Sequence, residues 1–173
     1  MADRPLIPLF GVNMCTGAAS DVADVLVSGQ IAEGDHVRLF EYELAEHLDL
    51  PVGRGIVTVN SGTSAIELAL LLADVKPGDD VLTTPMTCTA TTTAIINRGA
   101  RPVWVDVDEN GNLDPEDIPR RVTPKTRAVV VVEWGGRPVD IAKVRQAVNH
   151  RSSIGVIEDA AHAFRFNDRR DVR

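Results

Sequence analysis

The apolar positions of the first 54 residues predict two helices. The first covers residues 21–28, with Ser20 as its N-cap. The second covers residues 35–48, where apolar side chains recur three and four positions apart, as on the buried face of an amphipathic helix. A loop bounded by glycines, residues 29–34, joins them. We therefore predict that residues 1–54 form an N-terminal helical segment.

From residue 55 onward, short apolar runs alternate with segments of helical spacing. The predicted strands are 56–59, 81–84, 102–106, 128–132 and 154–157, and the predicted helices are 64–72, 89–97, a short one from Asp114, and 141–149. Residues 128–132 are all apolar and four of them are valine, which is typical of a strand covered on both faces. This alternation predicts an α/β fold with a mostly parallel sheet and helices on both faces.

This pattern assigns residues 55–164 to one α/β domain. The last nine residues, 165–173, include four arginines and two aspartates without periodicity, and we predict that they are disordered.

Composition and charge narrow the functional class. Apolar residues make up 44% of the chain, which is typical of a soluble globular protein, and the net charge of −7 argues against nucleic acid as an obligate partner. No apolar run approaches the roughly 18 residues of a membrane span, and no signal peptide is evident. Two cysteines form no disulfide framework and four histidines lack metal-ligand spacing, so we expect a cytoplasmic protein without a metal site or membrane contact.

A candidate anion site lies between the first predicted strand of the domain and the helix after it. Its sequence, residues 60–63, is Asn-Ser-Gly-Thr. Free N–H groups and the positive end of a helix attract phosphate, Gly62 would let it approach the backbone, and the Thr63 hydroxyl would add a donor. Alternatively, Ser61 or Thr63 only caps the helix. Neither common nucleotide-binding glycine motif is present in the required position.

A second group of candidates follows the last predicted strand, at the edge where open α/β sheets bind ligands. Asp159 could pair with a pyridine nitrogen and keep it protonated, and His162 could face a phenolic oxygen on the same ring. Alternatively, both residues cap the turn after the strand. Cys88 follows another strand, within residues 85–91, and could contact a cofactor face or be a small buried apolar residue.

Further motifs occur in a fixed order along the chain. They include residues 61–65, 76–81, 99–103, 106–108, 112–116, 123–128 and 158–163. Over residues 7–164 this series resembles the DegT/DnrJ/StrS family, the nucleotide-sugar aminotransferases of fold type I, which use pyridoxal phosphate. The resemblance implies that the chain is the N-terminal, incomplete part of the large domain of such an enzyme.

The resemblance also implies roles for the candidate residues. Gly62 and Thr63 would hold the phosphate of pyridoxal phosphate, and Cys88 would lie over its ring. Asp159 would contact the pyridine nitrogen and His162 the phenolic oxygen. In the family, an amino donor loads the cofactor, a keto sugar linked to a nucleotide receives the amine, and two subunits of a homodimer share residues at each active site.

One element of the family's chemistry is not found. The Schiff-base lysine of the family follows the Asp-x-x-His segment, whereas Lys76, Lys125 and Lys143 lie in other elements, and Glu133 stands where relatives usually carry histidine. We therefore assign no catalytic residue and expect weak or lost cofactor binding and negligible transamination by this chain alone. The alternatives are a non-catalytic remnant, a partial subunit completed by another chain, an unrelated nucleotide-binding module, or a family member that catalyses dehydration.

Overall fold

The computed structural model describes residues 11–50, 55–148 and 153–163. The helices are α1 (Ala18–Ser28), α2 (Asp35–His47), α3 (Gly62–Leu72), α4 (Thr89–Asn97), α5 (Ile118–Arg121) and α6 (Ile141–Ala147). The strands are β1 (Asp80–Thr83), β2 (Arg101–Trp104), β3 (Thr126–Val132) and β4 (Gly155–Asp159), and a single 3-10 turn, Trp134–Gly136, follows β3. The predicted disorder of residues 165–173 lies outside the described residues.

The four strands form one sheet in the order β2-β1-β3-β4, and every neighbouring pair is parallel. From β1 the chain moves outward to β2, and it then returns to place β3 on the other side of β1. The connections therefore reverse direction between β1 and β3. In open α/β sheets, ligands bind outside the carboxyl ends of the strands at such a reversal.

Helices cover both faces of the sheet, as the strand–helix alternation predicts. Because side chains alternate along a strand, β1, β3 and β4 each contribute side chains to both layers. One layer packs α3 and α4 on the sheet through Ile66, Leu70, Ala94, Ile95, Val81, Ala128 and Val130. The other packs α5 and α6 through Ile118, Val144, Val148, Leu82, Val129 and Val131. The valine-rich run of β3 is buried along its whole length, which confirms that this strand is covered on both faces.

The predicted strand at residues 56–59 is wrong. Its β-branched residues favour an extended backbone, but a strand also needs a neighbour for its N–H and C=O groups, and this segment pairs with no described strand. A side chain takes the place of that neighbour, since the Glu41 carboxylate accepts hydrogen bonds from both the N–H and the hydroxyl of Thr58, each at 2.7 Å. These two bonds hold the pKa of Glu41 below its usual range.

Other differences concern where helices begin. The helix α1 begins at Ala18, so Ser20 lies inside it and Gly17 occupies the N-cap position. The short helix expected from Asp114 begins only at Ile118, because the Asp114 carboxylate accepts a hydrogen bond from the N–H of Glu116 and forms a turn instead. The helix predicted at 89–97 has the observed limits of α4.

The two N-terminal helices bury no residue among the described part of the chain. Leu26 of α1 is 64% exposed and Phe40 of α2 is 53% exposed. Their apolar faces are therefore available to other polypeptide. Within the described ranges, no helix combines the length and the apolar character that crossing a membrane requires.

Candidate functional site

The carboxyl ends of β1, β3 and β4 bring three loops together at one edge of the sheet. Two hydrogen bonds join the loop after β3 to the end of β4. The Glu133 N–H donates to the carbonyl oxygen of Asp159 at 3.1 Å, and the Gly135 N–H donates to Nδ1 of His162 at 3.3 Å. The Asp-x-x-His segment is thus attached to the loop after β3 at both of its candidate residues, Asp159 and His162.

The Asp159 carboxylate is held at both oxygens. Oδ2 lies 3.2 Å from the Thr91 hydroxyl, and Oδ1 accepts from the N–H of Ala161 at 3.3 Å. Because Ile157, two residues earlier, packs against the α3/α4 layer, the half-buried Asp159 side chain lies on that face, and the exposed Glu158 lies on the other. The bond to Ala161 shows that Asp159 also stabilises the turn after β4, as the capping alternative predicted.

Two threonines connect Asp159 to the loop after β1. The hydroxyls of Thr87 and Thr91 lie 2.9 Å apart, and Thr91 is 0% exposed. The sequence predicts that residues 85–91 lie at this edge, but nothing in it identifies Thr91 as a partner of Asp159. The two residues are 68 positions apart, and no spacing rule connects them.

His162 is exposed and lies beside an aromatic ring that the sequence did not suggest. The centroids of its ring and the indole of Trp134 are 5.5 Å apart, with the planes at 55°. Since Nδ1 accepts from Gly135, a neutral ring carries its proton on Nε2, which donates to no atom of the described residues. A Cβ at Gly136 would come within 2.8 Å of the His162 carbonyl oxygen. The sequence signal for this close approach is the pair Gly135-Gly136, which two residues separate from the end of the buried strand β3.

Cys88 lies at the start of α4, at the same edge. It is the N-cap residue of that helix, its side chain makes no capping hydrogen bond, and it is exposed. The alternative that Cys88 is a buried apolar residue is therefore wrong for the described part of the chain. Contact with a cofactor remains a prediction.

Gly62 and Thr63 form the first turn of α3. Ser61 caps this helix by accepting a hydrogen bond from the N–H of Ser64 at 3.2 Å, as the capping alternative predicted. Within the described residues, the N–H groups of Gly62 and Thr63 have no acceptor. No atom lies within 4 Å of a Cβ built on Gly62, so an anion could approach both donors.

The helix α3 packs in the same layer as Ile157 of β4, through Ile66 and Leu70. At the opposite edge, a Cβ on Gly155 would lie 2.9 Å from the Cβ of Ala73, directly after α3. From this contact α3 extends about 15 Å to Thr63. From Gly155 at the same contact, β4 extends about 13 Å to Asp159. If α3 runs antiparallel to β4, as helices do when they pack on a parallel sheet, these lengths would bring Thr63 and Asp159 to similar heights.

A cavity of about 470 Å³ lies beside this site rather than within it. Met86 forms part of its wall, and the rest consists of Pro85, Trp104, Val105, Asp106, Val107 and Arg121. None of the predicted site residues lines it. Among the described residues, no group of three histidine, cysteine, aspartate or glutamate side chains could hold a metal ion.

The family model of the DegT/DnrJ/EryC1/StrS aminotransferase family matches residues 15–170. The chain belongs to this family. The match extends over nearly the whole chain and agrees with the resemblance found in the order of the sequence motifs.

Individual proteins show the same relationship. The chain is 42% identical over 158 residues to the spore coat polysaccharide biosynthesis protein SpsC of Bacillus subtilis, covering 91% of the chain and 39% of SpsC. It is 37% identical over 144 residues to the dTDP-4-dehydro-2,3,6-trideoxy-D-glucose 4-aminotransferase of Saccharopolyspora spinosa, covering 82% and 37%. The crystal structure of NtdA from Bacillus subtilis with bound cofactor PMP superposes with a TM-score of 0.79 at 28% identity, covering 92% and 38%. The chain thus spans about two fifths of the length of these proteins.

Proposed function

We propose that residues 55–164 form part of the cofactor-binding domain of a sugar aminotransferase that uses pyridoxal phosphate. The observation that carries this proposal is the Asp159 carboxylate, held by Thr91 and Ala161 at the same edge as the free N–H groups of α3. By family resemblance, the acceptor is a keto sugar linked to a nucleotide, the amino donor is a small molecule, and the product serves polysaccharide synthesis.

The residues present fit the cofactor group by group. The phosphate carries negative charge and suits the first turn of α3, where Gly62 and Thr63 offer N–H groups at the positive end of the helix. A protonated pyridine nitrogen suits the Asp159 carboxylate, and a phenolic oxygen suits the Nε2–H of His162. Cys88 would contact the ring face with less area than an aromatic side chain provides.

When bound, pyridoxal phosphate supplies an electron sink for reactions at the carbon next to the transferred nitrogen. In this proposal Asp159 keeps a proton on the pyridine nitrogen, His162 orients the ring, and Gly62 and Thr63 fix its position. Lys76 lies in the turn before β1 and Lys125 directly before β3, both at the opposite edge of the sheet, and Lys143 lies on α6. We assign none of these lysines a role in the reaction.

The proposal includes polypeptide beyond residues 1–173, either in the same chain or in another one that completes the site. The relatives are more than twice as long as the matched region. The exposed apolar side chains of α1 and α2 support an assembly with further polypeptide, and we propose that this includes a second subunit of a homodimer. A partial subunit is therefore favoured over a non-catalytic remnant.

Binding of pyridoxamine 5′-phosphate tests the proposal, because this ligand needs no lysine to bind. Its affinity can be measured from the change in ring fluorescence upon titration with the purified protein. Asp159→Ala should weaken binding roughly 10- to 100-fold, the range expected for a hydrogen bond to a charged group. Glu158→Ala is the matched control, since its carboxylate is adjacent in sequence but on the other face.

The phosphate end is tested with the same assay. Thr63→Ala should weaken binding of pyridoxamine phosphate but leave binding of pyridoxamine, which has no phosphate, nearly unchanged.

Equal affinities of the unsubstituted protein and Asp159→Ala for pyridoxamine phosphate would refute the proposed site. Equal losses in Asp159→Ala and Glu158→Ala would show general damage to β4 instead of a lost contact with the ligand.

A further inference from the structure

We infer that Thr91 is a positioning residue for Asp159, and that Thr87 completes a directed chain of hydrogen bonds to its carboxylate. The inference rests on the proposed function, because it concerns how Asp159 is presented to the pyridine nitrogen. It gives a role to two residues of the 85–91 segment to which neither the sequence motifs nor the family resemblance assigned one.

The direction of the hydrogen bonds follows from the chemistry of the groups. An ionised carboxylate only accepts, so the Thr91 hydroxyl must donate its single proton to Oδ2 of Asp159, at 3.2 Å. That proton is then unavailable for Thr87, 2.9 Å away, so the Thr87 hydroxyl must donate to the oxygen of Thr91. The resulting chain runs from Thr87 through Thr91 to Asp159 and polarises each donor toward the carboxylate.

The burial of Thr91 makes its hydrogen bond to Asp159 specific. Thr91 is 0% exposed, so water cannot replace its hydroxyl without entering the packed layer between α4 and the sheet. Its position three residues into α4 fixes its backbone, since the Thr91 N–H donates to the carbonyl of Cys88 at 3.2 Å. A β-branched side chain in a helix also has few rotamers. The hydroxyl is therefore held at one place relative to β4.

The two ends of the carboxylate are held by different elements. Thr91 of α4 holds Oδ2, and the N–H of Ala161 in the turn after β4 holds Oδ1. Together they fix the plane of the carboxylate, so its remaining lone pairs keep one direction. Removing the Thr91 hydroxyl should leave the charge in place but let the carboxylate rotate. Binding of a protonated ring nitrogen should weaken, whereas contacts with the rest of the ligand should not.

The test compares Thr91→Val, which removes only the hydroxyl, with Thr91→Ser, which keeps it. Thr83→Val is the control, because Thr83 is also 0% exposed and its hydroxyl has no partner within the described residues. The ligands are pyridoxamine phosphate and its deaza analogue, in which CH replaces the ring nitrogen. Thr91→Val should lower the affinity for pyridoxamine phosphate about tenfold and that for the analogue less than about twofold. Thr91→Ser and Thr83→Val should bind both ligands like the unsubstituted protein.

A second measurement needs no ligand. If Thr91 positions the carboxylate, Thr91→Val should speed hydrogen exchange at the N–H of Ala161, which bonds the other carboxylate oxygen, while Thr83→Val should not. Equal losses of affinity for the two ligands in Thr91→Val, or no loss together with unchanged exchange at Ala161, would overturn the inference. Failure of the proposed function has a different result: Asp159→Ala would then bind pyridoxamine phosphate as well as the unsubstituted protein, whatever Thr91→Val does to exchange.

Discussion

The glycine pair after β3 provides a sharp test of how the candidate site is held together. Gly135 and Gly136 both have positive φ, 63° and 78°, a conformation that is strained for residues with a Cβ. Their surroundings differ. A Cβ on Gly135 would meet no atom within 4 Å, whereas a Cβ on Gly136 would lie 2.8 Å from the carbonyl oxygen of His162. Alanine at the two positions should therefore have different effects.

The expected magnitudes follow from this difference. Gly135→Ala should lower the free energy of unfolding by about 1–2 kcal/mol, the strain of a left-handed backbone. Gly136→Ala carries the same strain, and in addition the new methyl group overlaps a backbone oxygen that cannot rotate away. Overpacking of this kind costs about 1–3 kcal/mol. We therefore expect Gly136→Ala to be the more destabilising by about 1–3 kcal/mol. Displacement of His162 should also weaken binding of pyridoxamine phosphate.

Urea unfolding, monitored by circular dichroism, measures the free energy of unfolding of each variant. Comparison of their m-values, the slopes of free energy against urea concentration, shows whether the unfolded states are equivalent. Gly135→Ala is the internal control, since it has the same new side chain and the same backbone strain one residue away. If the two variants unfold with free energies within about 0.5 kcal/mol of each other, the close approach between the turn and His162 does not exist. The attachment of the Asp-x-x-His segment to β3 would then need another explanation.

Two further predictions concern stability away from the site. Asp80 is 1% exposed and accepts hydrogen bonds from Arg101 and Thr123, which lower its pKa, so Asp80→Asn should cost about 2 kcal/mol near neutral pH. Because the pKa of Asp80 is lowered in the folded state, its ionised carboxylate stabilises the fold above the unfolded-state pKa of about 3.9. The difference in free energy of unfolding between Asp80→Asn and the unsubstituted protein, measured by urea unfolding, should therefore shrink as pH falls below about 4. A difference that stays constant with pH would contradict this origin. Gly155→Ala would place a methyl 2.9 Å from the Cβ of Ala73, and calorimetry should show a lower melting temperature unless α3 can move away from β4.

Much of the fold could be predicted from local sequence. The run of valines in β3 identified a strand covered on both faces, and the residues of that run, 128–132, are all buried. The helix at 89–97 was predicted with its observed limits despite its threonines. In both cases the signal lies within one segment, because propensity and apolar spacing act over only a few residues.

The pairing of residues 56–59 and the exposure of Cys88 depended on neighbours in space that cannot be identified from the local sequence. Residues 56–59 have the composition of a strand but pair with no described strand, and Glu41 satisfies Thr58 instead. Cys88, for which a buried position was an open alternative, is exposed at the start of α4. Whether such residues are paired or buried is decided by what packs against them, which is a property of the tertiary structure.

The candidate site likewise has features that the local sequence predicts and others that only the tertiary structure decides. The sequence alone determined the α/β class, the family and the segments expected at the carboxyl edge, since these follow from the alternation of strands and helices along the chain and from short motifs in a fixed order. Only the tertiary structure decided which side chains meet there. Thr91 reaches Asp159 across 68 residues, and Gly136 approaches the carbonyl of His162, because parallel strands bring distant loops to one edge. A contact between such loops depends on the register of the strands and the packing of helices on them, and neither is encoded by the residues next to the contact.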